Sequence, residues 1–190
     1  GMNGRYAYVT DNYVLCKHGL TQLKELLEIN EISMPTIFKL PFRSSSIMAL
    51  AASEIFELPI KDWPEGGTDE PGLIINYDLY EINDQYIFEQ LGKKKPGQIL
   101  FSHASNWTEP YPFAPDVTTF LYQQMSNEWI GGAFKKSEGT EELVQTEPDN
   151  SPEDEIAKRI VSASNDESLT DDIQDLFAIC NPLKQLSDDT

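Results

Sequence analysis

Between Thr36 and Trp129, short β-rich runs alternate with segments of helical period, and this alternation leaves few architectures open. The clearest strand is Leu73-Ile-Ile-Asn-Tyr-Asp-Leu-Tyr80. A shorter one, Thr36-Ile-Phe-Lys-Leu40, lies between Pro35 and Pro41, and a third is Gln98-Ile-Leu-Phe-Ser-His103. Helical spacing follows each of them. Ile47, Leu50, Ala51 and Ile55 come after Arg43-Ser-Ser-Ser46. Tyr86, Ile87, Phe88 and Leu91 come after a capping Asp84. Pro115 opens a third segment, with Val117, Phe120, Leu121, Met125 and Trp129 on its inner face and Gly131-Gly132 as its stop. The pattern predicts an α/β fold, a small two- or three-layer sheet with largely parallel strands. The alternative is α+β, since strands this short can also pair antiparallel.

The first residues add a smaller element. Arg5-Tyr-Ala-Tyr-Val9 and Tyr13-Val-Leu-Cys16 flank Thr10-Asp-Asn12 and predict a β-hairpin. Thr21 then caps a short helix with Leu23, Leu26 and Leu27 on one stripe. Gly1-Met2 reads as one extra residue ahead of a native start.

Charge divides the chain. Of the net −18, residues 137–190 carry −12, from 15 Asp/Glu against three Lys/Arg, and residues 1–136 hold the remaining −6. The expected organisation is a globular body over 1–136, a linker over 137–150 and an acidic amphipathic helical tail over 151–190. Ser151-Pro-Glu-Asp154 opens the first tail helix, with Ile156, Ile160 and Val161 on one face. Ser168 or Thr170 opens a second, with Ile173, Leu176, Phe177 and Cys180 apolar, ending at Pro182. Burying each such side chain contributes roughly 1.5–3 kcal/mol. Screened charge repulsion is weaker, so the stripes are expected to pack on the body or on a second copy in a homodimer.

Acidity of this order argues against nucleic acid and anionic membranes as partners. The longest apolar run, Ile47 to Ala52, is far short of the ~20 residues that span a bilayer. With no leader after Met2, the expected location is cytoplasmic. Cys16 and Cys180 lack metal spacing and read as two free thiols in a reducing compartment.

The chain contains no P-loop, GxGxxG, HExxH, CxxC pair or GxSxG elbow. Position supplies the candidates instead, because ligands of a parallel sheet bind beyond the carboxyl ends of its strands. Ser44, Ser45 and Ser46 follow the first strand, Asp78 is late in the second, and His103 ends the third. Together they suit a nucleophile with a base and an orienting acid, or an anion held by hydroxyls and helix amides. Their bland reading is capping of loose backbone groups at strand ends. Asp78, His103 and Glu109 lack metal spacing, so no metal or cofactor is assigned.

A second surface comes from the loop 104–115, where Trp107, Tyr111 and Phe113 stand among prolines. Such aromatics anchor interfaces or cover a sheet end. Lys93-Lys94-Lys95 reads as a solvated turn. The sum favours a non-enzymatic interaction or regulatory protein. It would bind a protein partner, basic in character, through the tail residues Ile173, Leu176 and Phe177 and the loop residues Trp107, Tyr111 and Phe113. The alternative is a small α/β hydrolase or transferase built on Ser44–Ser46, Asp78 and His103. Whether His103 meets Asp78 or a serine separates the two.

Overall fold

Six runs of β-branched and aromatic residues form one sheet, all strands parallel, in the order β1-β6-β5-β4-β2-β3. They are β1 (Arg5–Thr10), β2 (Ile37–Lys39), β3 (Ile60–Asp62), β4 (Gly72–Asp78), β5 (Gln98–Asn106) and β6 (Val117–Ser126). The structure, a computed structural model, describes residues 5–132, 134–136 and 143–164. The alternation therefore gives an α/β fold, as its sequence pattern predicts. β4 is buried along its whole length, and β5 in all but its last residue, as strands covered on both faces are.

Helices α1 (Tyr13–Ile29), α2 (Arg43–Phe56) and α4 (Glu153–Ser162) cover one face. Leu20, Leu23, Leu27, Ile47, Met48 and Ile156 pack there against Leu73, Ile75, Tyr77 and Phe101. Helix α3 (Gln85–Leu91) and the loops beside it cover the other, where Ile87 and Leu91 meet Phe38, Trp63, Ile74 and Leu100. Toward β1, that face holds Val9, Ala104, Phe120 and Tyr122. Short strands β7 (Phe134–Lys136) and β8 (Leu143–Gln145) pair antiparallel apart from the main sheet. Among the described residues, no helix is long and apolar enough to cross a membrane.

Two expected elements are corrected. There is no N-terminal hairpin: β1 pairs in parallel with β6, and Tyr13–Cys16 is the first turn of α1. Asn12 decides this, because its side chain accepts the Leu15 amide hydrogen at 3.0 Å and starts a helix where a turn was expected. Cys16, Leu20, Leu23 and Leu27 then bury one stripe. The helix expected after Pro115 is strand β6. Val-Thr-Thr-Phe-Leu-Tyr is a β-rich run, and the helical spacing within it is overridden by pairing with β1 and β5. β3 is an edge strand that the sequence pattern did not reveal.

The acidic region begins as part of the core. Ile156 and Ile160 are fully buried in the same cluster as the sheet, with Val161 partly buried against it. Arg43 donates to the carbonyls of Asp149 and Ser151 at 3.0 and 2.9 Å, strapping the approach to α4 across the start of α2. Ile173, Leu176 and Phe177 lie outside the described residues. Because Ile160 fills space between helices and sheet, Ile160→Ala should cost about 2–5 kcal/mol in urea unfolding. A loss below about 0.5 kcal/mol would show that α4 is only loosely applied.

Candidate functional site

The direction of the chain reverses between β2 and β4. β2 continues through α2 outward to β3, whereas β4 continues through a single 3-10 turn (Leu79–Glu81) and α3 inward to β5. Neighbouring strands whose exits diverge leave a crevice beyond their carboxyl ends, the usual ligand position in open parallel sheets. Arg43, Ser44, Ser45 and Ser46 enter it from α2, and Asn76, Asp78 and Glu81 from β4 and the turn.

The three serines have separate partners. Phe42 precedes α2 and has no side chain to cap it. The Glu81 carboxylate does so instead, accepting the Ser45 amide hydrogen at 2.8 Å and the Ser45 hydroxyl. A carboxylate is favoured at this positive end of a helix. Ser45 Oγ also accepts the Tyr77 amide hydrogen at 2.9 Å. Asn76 links Ser45 to Ser102 at 2.9 and 2.8 Å. Ser44 accepts the Trp129 indole hydrogen at 3.1 Å, and Ser46 donates to Glu153 at 2.5 Å.

Asp78 sits at the end of β4, opposite Ala104 of β5, and is buried. One carboxyl oxygen accepts the Tyr80 amide hydrogen at 3.1 Å and the other accepts the Tyr122 hydroxyl. Burial pushes the Asp78 carboxyl up to about 6, against the pull of the Tyr122 and Tyr80 hydrogen bonds and of His103. Burial also raises Glu81, and the charge of Asp78 adds to the rise. The Tyr122 phenol is raised by burial and by Asp78, so it remains a donor. The Tyr111 hydroxyl feels the charge of Asp78 and is buried with no hydrogen-bond partner among the described residues. Burial thus holds two carboxyl groups above their ordinary range, beside phenols that keep their protons.

His103 does not join this group. Its Nε2 lies 3.3 and 3.2 Å from the two oxygens of Asp11, and its Nδ1 lies 3.2 Å from Thr119 Oγ1. Neither Asp78 nor any of the three serines is hydrogen-bonded to it. Asp11 is fully buried and also accepts from Tyr77 OH at 2.7 Å, the Cys16 thiol at 3.3 Å and the Asn12 amide at 2.9 Å. Burial and the neighbouring Asp11 raise both Cys16 and Tyr77, so they stay protonated. Gly19 lets α1 approach this knot, since a Cβ there would lie 2.4 Å from Thr119 Oγ1 and 2.8 Å from His103 Nδ1.

The aromatic loop turns partly inward. Phe113 packs at a tilt against Phe88 of α3 with centroids 4.8 Å apart, and Tyr111 lies 6.3 Å from the same ring. Trp107 is partly exposed beneath the Arg5 guanidinium, 5.0 Å from its ring centre. Lys94 pairs with Asp116 at 3.0 Å and Lys95 with Asp69 at 3.3 Å. An open cavity of about 400 Å³, lined by Trp63, Tyr86, Gln90, Lys93 and Gln98 among others, lies at the opposite end of the sheet. In its wall Trp63 donates to Gln90 at 2.7 Å and Gln98 to the Thr68 carbonyl at 2.8 Å.

Sequence reasoning missed Asp11, Glu81, Tyr122 and Cys16 as members of polar clusters. Asp11 directly follows the end of β1, so an earlier strand assignment would have exposed it. The role of Tyr122 was hidden when β6 was read as a helix.

No family model matches this chain, and no curated protein matches it. Among solved structures it is similar to a purine phosphoribosyltransferase from Pyrococcus horikoshii Ot3, with 18% identity, a TM-score of 0.46, and 65% of this chain and 93% of that chain covered. The expectation of a non-enzymatic binding protein is corrected on this chain's own packing: Phe113, expected to anchor a partner, lies against Phe88, and the first tail helix is buried in the core. At this level of likeness the neighbour's substrate and chemistry stay with that protein. The weight rests on this chain's own geometry, in which α4 and Phe113 face inward and two perturbed carboxyl groups share the crevice.

Asp78 gives a test in stability. Holding its carboxyl at about 6 rather than 3.8 makes ionisation within the fold cost about 3 kcal/mol. The folded state binds the proton more tightly than the unfolded chain. The contribution of Asp78 is therefore complete below pH 3.8 and is lost as pH rises through about 6. Asp78→Asn should accordingly be more stable than the parent at pH 7.5, with an advantage that shrinks on acidification and vanishes near pH 4. Denaturant melts across that range check it, and a pH-independent difference would contradict the assignment.

Proposed function

We propose that this protein is a small α/β enzyme, a hydrolase or transferase, whose chemistry lies in the crevice at the carboxyl ends of β2, β4 and β5. The observation that supports this most directly is the Asp78 carboxyl, buried at a strand end, bonded by Tyr122 and raised to about 6. A carboxyl near that value exchanges protons readily at neutral pH, which suits a general acid or base. Glu81, also raised, holds the start of α2 and sets the floor of the crevice. Tyr111 supplies a buried hydroxyl with no present partner, free to donate to a substrate oxygen.

In this reading Asp78 moves a proton between substrate and leaving group or water, and the Tyr122 hydroxyl stabilises its ionised form. The serines anchor Glu81, Trp129 and Glu153 and shape the pocket, and no serine is assigned as a nucleophile. His103 supports the sheet from the other side of β4 and has no proton-transfer role. The finer expectation of a cytoplasmic location fits the buried Cys16 thiol, which a reducing compartment preserves.

A panel of activated esters, phosphomonoesters, glycosides and nucleosides, assayed with the full chain, tests the reading. Turnover of one class should show a limb near pH 6 in kcat/KM, and Asp78→Asn should lower the rate by roughly 100-fold or more. Tyr111→Phe should lower it less, by about tenfold. Turnover unchanged by Asp78→Asn would reject the assignment, as would no turnover in any class.

A further inference from the structure

Asp11, Cys16 and His103 bring carboxylate, thiol and imidazole together in one fully buried cluster, with donor atoms all within 4.8 Å of one another. The proposed acid–base chemistry does not use it. Asp11 Oδ2 lies 3.2 Å from His103 Nε2 and 3.3 Å from Cys16 Sγ, and Oδ1 lies 3.3 Å from the same Nε2. Around a zinc ion with Zn–N and Zn–O bonds of about 2.0–2.2 Å and a Zn–S bond of about 2.3 Å, tetrahedral neighbours stand roughly 3.3–3.6 Å apart. The Asp11–His103 and Asp11–Cys16 separations are close to that spacing, and the three donor atoms all lie within 4.8 Å.

The surroundings match what a metal ligand requires of its neighbours. Each ligating group in a metal site is oriented by a further hydrogen bond. Thr119 Oγ1 lies 3.2 Å from His103 Nδ1, where it can accept that proton and leave Nε2 free to ligate. Tyr77 OH and the Asn12 amide donate to the two Asp11 oxygens at 2.7 and 2.9 Å, and Asn127 Nδ2 donates to Tyr77 at 2.7 Å. Charge gives a further reason. A carboxylate with no exposure is costly without a cation, and the groups that touch Asp11 are a phenol, a thiol, an amide and an imidazole. Carboxylate, thiolate and neutral imidazole around one divalent ion sum to zero.

We infer that Asp11, Cys16 and His103 form a buried site for a divalent ion of the zinc type, clamping the β1–α1 corner to β5. Oδ2 of Asp11, Sγ of Cys16 and Nε2 of His103 are its three protein donors. The thiol proton leaves on binding. The mixed oxygen, sulfur and nitrogen set suits Zn²⁺ and is too soft for Mg²⁺ or Ca²⁺. This inference is independent of Asp78 and stands or falls by a different measurement.

The full chain, produced with zinc in the medium and desalted, should carry about one zinc per chain by elemental analysis. Refolded with Co²⁺ in place of zinc, it should show thiolate-to-cobalt charge-transfer absorption. Cys16→Ser keeps the side chain's size and its hydrogen bond to Asp11, so it folds whether or not a metal binds. It should abolish the cobalt band and lower bound zinc at least tenfold. His103→Gln should lower zinc similarly, while Cys180→Ser should leave both readouts intact. Metal-free protein with no cobalt band overturns the inference, and so does a band that survives Cys16→Ser or disappears with Cys180→Ser. Either result would reduce the cluster to a hydrogen-bonded knot.

Discussion

The β1–α1 corner is held to the sheet through the Asp11 carboxylate, which has no exposure. Its backbone amide bonds to Ser126 at the end of β6, and its side chain gathers α1 through Cys16, β4 through Tyr77 and β5 through His103. Three elements thus share one acceptor, and a fourth, β6, accepts from the same residue's amide. A buried polar group of this kind is stabilising only when every partner is present, because each one left alone bears its full desolvation penalty. This makes the cluster strict about register. A slip of one residue in β1 would turn Val9 toward the helices and take Asp11 out of reach of all its donors.

The acidic character of the chain has a local use in the crevice. Glu81 and Glu153 both lie at the start of α2, bonded to Ser45 and Ser46, where the helix presents its positive end. Arg43 then fastens the backbone ahead of α4. Of the acidic region, Glu153 meets the Ser46 hydroxyl and Asp149 the Arg159 guanidinium. Repulsion between its own carboxylates therefore does not prevent α4 from docking. Charge and apolar burial act in the same direction there.

What could be read from the residues followed the strength of the local signal. Leu73–Asp78 and Gln98–His103 each hold a run of three large apolar residues (Leu73-Ile-Ile75 and Ile99-Leu-Phe101) with turn residues nearby, and they are central strands. Asp84 caps α3 as its position suggests, accepting from Tyr86 and Ile87. The misreadings come from segments whose local preference is divided. Tyr13–Cys16 is short, and only the Asn12 cap makes it helical. Val117–Ser126 satisfies both periods, and only its neighbours β1 and β5 choose between them. The site shows the same division. Asp78 and Ser44–Ser46 were visible because they lie at strand ends and helix starts. Glu81, Tyr122 and Asp11 act through contacts across many residues, which no local window contains.

The strand order carries a consequence for how the chain must be assembled. β1 is the first strand to be made, yet its only partner in the sheet is β6, with Arg5 opposite Leu121 and Thr10 opposite Ser126. While it waits, β2, β3, β4 and β5 can pair among themselves as they emerge. A nascent chain would thus hold a nearly finished sheet whose last slot stays empty until more than a hundred residues have followed the strand that fills it. Closing so long a loop is slow, and an unpaired parallel edge invites foreign strands meanwhile. Within the sheet, β1 finds its partner only once β6 has been made.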